Sequence, residues 1–203
     1  MRKVWTARWE TLFALQVRRD WATKDAKKLL RTTLKSLAHG KCVYCESRLA
    51  TTSHIEIEHY IAKTVNPERA FDWNNLFPAC RLCNGTKGGL DHHDALLKPD
   101  DEDPEPYFWV GPNGDLQPHP ALDEAARQRA LITINACGLQ RDGLRAARLF
   151  LMRLVRGALH APSAEILEEL LAPECEYKLV VRRVLEEFGN HELAVEDRRR
   201  FQL

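Results

Sequence analysis

The stretch WNNLFPACRLCNGTKGG, residues Trp73–Gly89, decides how this 203-residue chain is interpreted. It places Cys80 and Cys83 in a C-x-x-C pair, followed directly by an asparagine and a glycine-rich turn. A second C-x-x-C pair, Cys42 and Cys45, lies upstream in KCVYC. Each pair can offer two thiolates from one tight turn, and structural zinc sites are closed by four such soft ligands. The spacing predicts a structural Zn²⁺ held by Cys42, Cys45, Cys80 and Cys83.

The composition of the chain indicates the environment in which these cysteines occur. With 44% hydrophobic residues the chain can bury one sizeable core. No window approaches a membrane span, and the start, MRKVWTARWE, lacks the apolar run of a secretory signal. We therefore expect a cytoplasmic protein, where reducing thiol pools favour metal binding over disulfides. Cys137 and Cys175 stand alone in apolar helical patterns and are expected to be small buried residues, not ligands.

The net charge of +1 hides an uneven distribution. Residues 1–90 carry 16 Lys and Arg against 8 Asp and Glu, whereas residues 91–123 carry one Lys against nine acids. The basic part is the part with the paired cysteines, as a phosphate-binding surface requires. An ordinary solvated surface accounts for the same counts.

The hydrophobic pattern predicts an α+β protein that is mostly helical. Alternation in 54–61 indicates a strand, 62–74 a polar loop, and NLFPAC a second strand before the second cysteine pair. We divide the chain into N-terminal helices (1–40), a central module (41–90), an acidic loop with a hairpin turning at 112–114 (91–120), and a C-terminal helical region (121–203). Helical spacing predicts helices at 3–19, 24–38, 121–136, 140–159, 163–171 and 176–188.

Four polar residues of the central module carry the chemistry. Glu58 and His59 end the first strand, Asn75 opens the second, and Asn84 follows the last cysteine. An imidazole can take a proton from water near neutral pH, and carboxylate and amide oxygens hold hard divalent cations. These are the parts of metal-assisted phosphodiester hydrolysis. A Glu-His pair alone is more often a surface ion pair, so their order along the chain matters.

That order, C-x-x-C, then EH, then NL-x-x-x-C-x-x-CN-x-x-KG, resembles the HNH endonuclease family with its ββα-metal fold, over about 42–89. The resemblance implies that His59 is the general base and that Asn75 braces the loop carrying it. It also implies that Glu58 and Asn84 bind a catalytic Mg²⁺ or Mn²⁺, with glutamate where many members have aspartate. The zinc-stapled module is then flanked by N-terminal and C-terminal helices.

The wider frame is similar to the HNH subunit of Septu-type antiphage systems and to retron-associated effectors. That resemblance implies an ABC- or SMC-like ATPase partner, and nucleic acid as substrate, with DNA expected over RNA. The alternative is a non-catalytic zinc module that binds nucleic acid or protein.

Basic residues outside this set have two readings each. Lys87, between glycines in GTKGG, is predicted to contact a phosphate of the nucleic acid; a simple solubilising charge is the other reading. Arginines at helical spacing in 140–159 indicate a solvated face, or else a DNA or partner groove. They are Arg141, Arg145, Arg148 and Arg156.

Overall fold

The computed structural model describes residues 24–49, 55–89, 95–101, 103–160, 164–190 and 192–194. The predicted helix at 3–19 lies outside these residues. The first described helix, α1 (Lys24–Leu37), confirms the prediction for 24–38. Its apolar side packs on the central module, with Leu30 and Leu34 buried against Leu76. It is followed by Gly40 in the left-handed region at φ +72°, where glycine carries no steric penalty.

The first cysteine pair sits in a tight turn. Lys41 and Arg48 form an isolated antiparallel bridge across it, and the Cys42 amide donates to the Ser47 carbonyl at 2.9 Å. The Val43 amide donates to the Pro78 carbonyl at 3.1 Å. This last bond attaches the turn to the strand that precedes the second cysteine pair.

A two-stranded antiparallel sheet and a short helix form the centre of the molecule. Strands β1 (Glu56–His59) and β2 (Leu76–Ala79) pair with Glu58 opposite Phe77. Two 3₁₀ turns, Pro67–Phe71 and Trp73–Asn75, connect them. Helix α2 (Arg81–Lys87) follows at once, with Cys80 as its N-cap. The predicted order of strand, loop and strand is confirmed, and a helix follows it, as the resemblance to a ββα fold implies.

The hairpin predicted after the acidic loop is present as β3 (Phe108–Val110) and β4 (Leu116–Pro118). Its turn includes Gly114 at φ +81°. A Cβ on Gly114 would lie about 2.3 Å from the Arg145 carbonyl oxygen, so only glycine fits this close approach.

The C-terminal region is helical, as predicted. It comprises α3 (Glu124–Ala136), α4 (Asp142–His160), α5 (Ala164–Leu171) and α6 (Lys178–Glu187). The largest cluster of buried apolar residues joins these helices to the cysteine turns and the hairpin. The α+β fold class is therefore confirmed, with a core shared by the central module and the C-terminal helices. Among the described residues, none of the helices combines the length and apolar character needed to cross a bilayer.

Candidate metal centres and active site

The four cysteines of the two C-x-x-C pairs converge, although the pairs are separated by the whole β1–β2 connection. The ligand atoms of Cys42, Cys45, Cys80 and Cys83 all lie within 4.8 Å of one another. Tetrahedral Zn–S bonds of about 2.3 Å place sulfur atoms about 3.8 Å apart. The separation of the Cys45 and Cys80 sulfurs, 3.9 Å, fits that geometry. The donor set therefore suits a structural zinc ion, as predicted from the spacing.

Polar groups from other parts of the chain surround the sulfur cluster. Arg141 donates from Nη2 to the Cys83 sulfur at 3.4 Å. Ser47 Oγ lies 3.4 Å from the Cys45 sulfur and 2.9 Å from the Tyr177 hydroxyl. Such outer contacts orient thiolate ligands and disperse their negative charge. The pattern of the sequence did not reveal them, because they depend on how the C-terminal helices pack.

The other two cysteines are not part of this cluster. Cys137 is buried, and burial raises its pKa to about 12, so it stays a neutral thiol.

The prediction of a solvated face is wrong for two of the arginines, because their side chains contact other parts of the protein. Arg148 is buried and donates to the Leu139 carbonyl at 2.9 Å, and Arg141 serves the sulfur cluster.

His59, the predicted general base, is oriented by a main-chain carbonyl. Its Nε2 lies 3.0 Å from the carbonyl oxygen of Ala70, in the first 3₁₀ turn. A carbonyl only accepts hydrogen bonds, so Nε2 carries the proton and Nδ1 carries the lone pair. Burial lowers the pKa of His59, and the Ala70 carbonyl opposes this. A neutral imidazole with a defined basic nitrogen is the form that a general base needs.

Asn75 ties together the two segments that hold this histidine. Its Oδ1 accepts from the Ile61 amide at 2.7 Å, and its Nδ2 donates to the carbonyls of Ile61 and Arg69, both at 3.0 Å. Arg69 directly precedes Ala70, whose carbonyl holds the imidazole. Asn75 is 1% exposed, so these bonds are shielded from water. These bonds join the residues that follow β1 to the turn that holds the imidazole, and the bracing role stays a prediction.

Glu58 lies in the interior, with Lys87 as its partner. The Lys87 ammonium is 2.5 Å from Glu58 Oε1, and the two residues are 1% and 2% exposed. Tyr44 donates a further hydrogen bond to the same oxygen at 3.2 Å. Lys87 also donates to the His59 carbonyl at 3.0 Å. Burial raises the pKa of Glu58, and the neighbouring ammonium opposes that shift.

This environment corrects the surface position predicted for Lys87. Glycines flank the residue, but its side chain extends from the last turn of α2 under the end of β1. A buried lysine with two oxygen partners is neither a solubilising charge nor placed to meet a phosphate. Its contacts instead support the main chain of His59.

Asn84 contacts Glu56, a residue outside the sequence motif. Asn84 Nδ2 donates to Glu56 Oε2 at 2.5 Å. Both side chains are half-buried, whereas Glu58 is enclosed. Alternation along β1 places the two glutamates on one face, which was the available signal for Glu56. Amide and carboxylate oxygens at one half-buried point are donors that suit a hard divalent cation.

These features together define a small ββα unit that carries four converging cysteines, an oriented histidine and an amide-carboxylate pair. Residues 42–89 match the family model described as HNH endonuclease, the same residues that the sequence motif delimits. The match is confined to this segment, which therefore resembles the HNH endonucleases.

The same region is similar to two curated proteins, both named Septu protein PtuB. The one from Bacillus thuringiensis is 39% identical over 74 residues, which is 36% of this chain and 28% of that protein. The one from Bacillus mycoides (strain KBAB4) is 36% identical over an alignment that covers 30% of this chain and 28% of that protein. The chain thus spans well under a third of the length of these relatives.

Proposed function

We propose that this chain is a metal-dependent HNH endonuclease that hydrolyses phosphodiester bonds, with DNA as the preferred substrate over RNA. The observation that carries the proposal is the position of His59. Its Nε2 is directed at the Ala70 carbonyl, and Asn75 holds the turn that presents that carbonyl. A zinc module that only binds has no need for an imidazole held in one tautomer.

In the proposed reaction, His59 takes a proton from a water molecule at Nδ1, and the resulting hydroxide attacks the phosphorus atom. The P–O bond to the leaving oxygen breaks, and that oxygen takes up a proton from solvent. Asn75 keeps the imidazole aimed, because a base works only within hydrogen-bond reach of its proton donor. Asn84 and a carboxylate from β1 would hold a divalent ion such as Mg²⁺ or Mn²⁺. That ion supplies positive charge near the phosphate, where negative charge grows as the bond breaks.

The cysteine centre has a separate, structural role. Four thiolates leave a tetrahedral zinc ion no open position, so its contribution is to hold two distant turns together. The Val43–Pro78 main-chain bond and the Arg141–Cys83 contact act in the same place. Zinc loss is therefore expected to disrupt the fold around the site, and only through it the activity.

The similarity to Septu proteins supports a role in antiphage defence, in a cytoplasmic complex with an ABC- or SMC-like ATPase. Such a partner would deliver or regulate a nuclease whose own affinity for nucleic acid is weak. Co-purification of the tagged chain with whatever is encoded beside it, followed by size-exclusion chromatography, tests whether an ATPase elutes with this chain. Separate elution of two folded proteins, with and without ATP, contradicts it.

The nuclease itself is tested by nicking of supercoiled plasmid with Mg²⁺, Mn²⁺ or EDTA, and with a matched RNA in parallel. His59→Ala should lower the rate about 100-fold or more, the range for loss of a general base, with zinc content unchanged. His160→Ala is the matched control, because His160 is an exposed residue at the end of α4 whose ring packs against Phe188, and this variant should cut at the wild-type rate. Metal-independent binding without cleavage would instead indicate the non-catalytic module.

A further inference from the structure

Two glutamates on β1 face helix α2, and the structure gives them different partners. Residues two apart on a strand are separated by about 6.7 Å, and residues three apart on a helix rise by about 4.5 Å. The spacing of Glu56 and Glu58 along β1 is therefore close to the spacing of Asn84 and Lys87 along α2. Asn84 meets Glu56, and Lys87 meets Glu58.

Oε1 of the Glu58 carboxylate is already committed to other groups. This oxygen contacts both the Lys87 ammonium and the Tyr44 hydroxyl in a site that is 2% exposed. A cation that took this carboxylate as ligand would have to displace or lie against a buried ammonium. A metal cation in contact with the Lys87 ammonium would be strongly repelled, because water is excluded from this site.

The Glu56 carboxylate is in the opposite situation. It is half-buried, and its described contact is with the Asn84 amide, which the sequence motif already assigns to the catalytic ion. Rotation of an amide by 180° exchanges its nitrogen and oxygen, so Asn84 can present Oδ1 at the same point. A carboxylate oxygen and an amide oxygen would then both be available to hold one cation.

We propose that Glu56, with Asn84, supplies the oxygen ligands of the catalytic divalent ion, and that Glu58 with Lys87 is an internal support for His59. This inference rests on the proposed nuclease function and names the carboxylate that serves it. Lys87 is then a positioning residue, because it acts through the main chain of His59.

The test is Mn²⁺ binding to the full, zinc-loaded chain, measured by electron paramagnetic resonance. Glu56→Gln and Glu58→Gln are matched variants: each removes one charge, keeps the shape, and lies on the same face of β1. We expect Glu56→Gln to weaken Mn²⁺ binding at least tenfold and Glu58→Gln to change it less than threefold. The reverse order, equal effects, or no Mn²⁺ binding by the wild-type chain would overturn the assignment.

A second variant covers the case in which Glu58→Gln does not fold. Asn84→Asp places a second carboxylate against Glu56 at a half-buried position. If a cation lies between them, Mn²⁺ should bind more tightly and raise the melting temperature of this variant more than that of the wild type. If the contact is only a hydrogen bond, Asn84→Asp is destabilised and Mn²⁺ restores nothing.

The outcome can be separated from that of the nuclease proposal. If His59→Ala abolishes nicking and Glu56→Gln does not affect it, the nuclease proposal stands and only the assignment of Glu56 as a metal ligand is wrong. If Mn²⁺ binding depends on Glu56 but the protein does not nick DNA, the assignment of the metal site stands and the nuclease proposal is wrong.

Discussion

Lys87→Met isolates the buried ion pair beneath His59. The change keeps most of the side-chain length but removes the ammonium 2.5 Å from Glu58, leaving a carboxylate that is 2% exposed without its partner. Breaking a buried pair in this way typically costs about 3–5 kcal/mol. For a chain of this size each kcal/mol lowers the melting temperature by roughly 2–4 °C, so a fall of roughly 6–20 °C is expected.

Protonation of Glu58 limits this cost, and the limit depends on pH. With an unfolded pKa of about 4.3 and about 1.36 kcal/mol per unit, protonating the carboxyl costs at most about 4.4 kcal/mol at pH 7.5 and about 1.6 at pH 5.5. Burial raises the pKa of Glu58 in the folded protein, and the loss of Lys87 raises it further. A raised carboxyl pKa means stability that is lost as pH rises. The variant should therefore be closest to the wild type at the lower pH.

The assay is urea unfolding of the zinc-loaded wild type and variant at pH 7.5 and pH 5.5, with zinc content checked at each pH. Taking the difference between the two proteins removes pH effects that they share, including those of the thiolates. Glu58→Gln/Lys87→Met is the control, because a neutral amide in place of the carboxylate should recover most of the loss. The buried charge pair is refuted if the free energies of unfolding of the wild type and Lys87→Met do not differ, or if they differ by the same amount at both pH values.

Three further outcomes follow from the described contacts. Cys83→Ser should give less than one zinc per chain by mass spectrometry and abolish cooperative melting, because folding of the centre depends on the metal; a stable, active, zinc-free variant would contradict this. Asn75→Ala should lower kcat with little change in KM, since it releases the turn behind His59, and an unchanged kcat would argue against bracing. Arg141→Met should weaken zinc affinity about 10- to 100-fold in chelator competition, whereas Arg145→Met, whose partner is Asp115, should not.

The sequence was sufficient for features governed by local spacing. The C-x-x-C pairs, the alternation before His59 and the helical periods of the C-terminal half each depend on neighbouring residues. The elements they predict are present with boundaries that shift by a few residues. The four cysteines also converge as predicted, because only one plausible set of soft ligands was available.

The site could not be completed from the sequence because its remaining contacts depend on how a helix sits against a strand. Glu56 and Glu58 share one face of β1 and are equivalent by period. The position of α2 alone decides that one meets Asn84 and the other meets Lys87. The flanking glycines of Lys87 indicated an exposed backbone, but they carry no information about where a four-carbon side chain ends.

The match to HNH endonucleases ends at residue 89, but the matched segment packs against residues that lie beyond it. Cys42 and Cys83 belong to the same buried cluster as Val180 and Leu185 of α6. Lys41, itself buried, donates to the Cys175 carbonyl at 3.0 Å. An isolated 42–89 segment would expose these apolar contacts, and it would lack both Lys41 and the Cys175 carbonyl that Lys41 bonds. The C-terminal helices are therefore part of what keeps the site in shape, and similarity confined to the central segment understates how much of this chain the proposed chemistry requires.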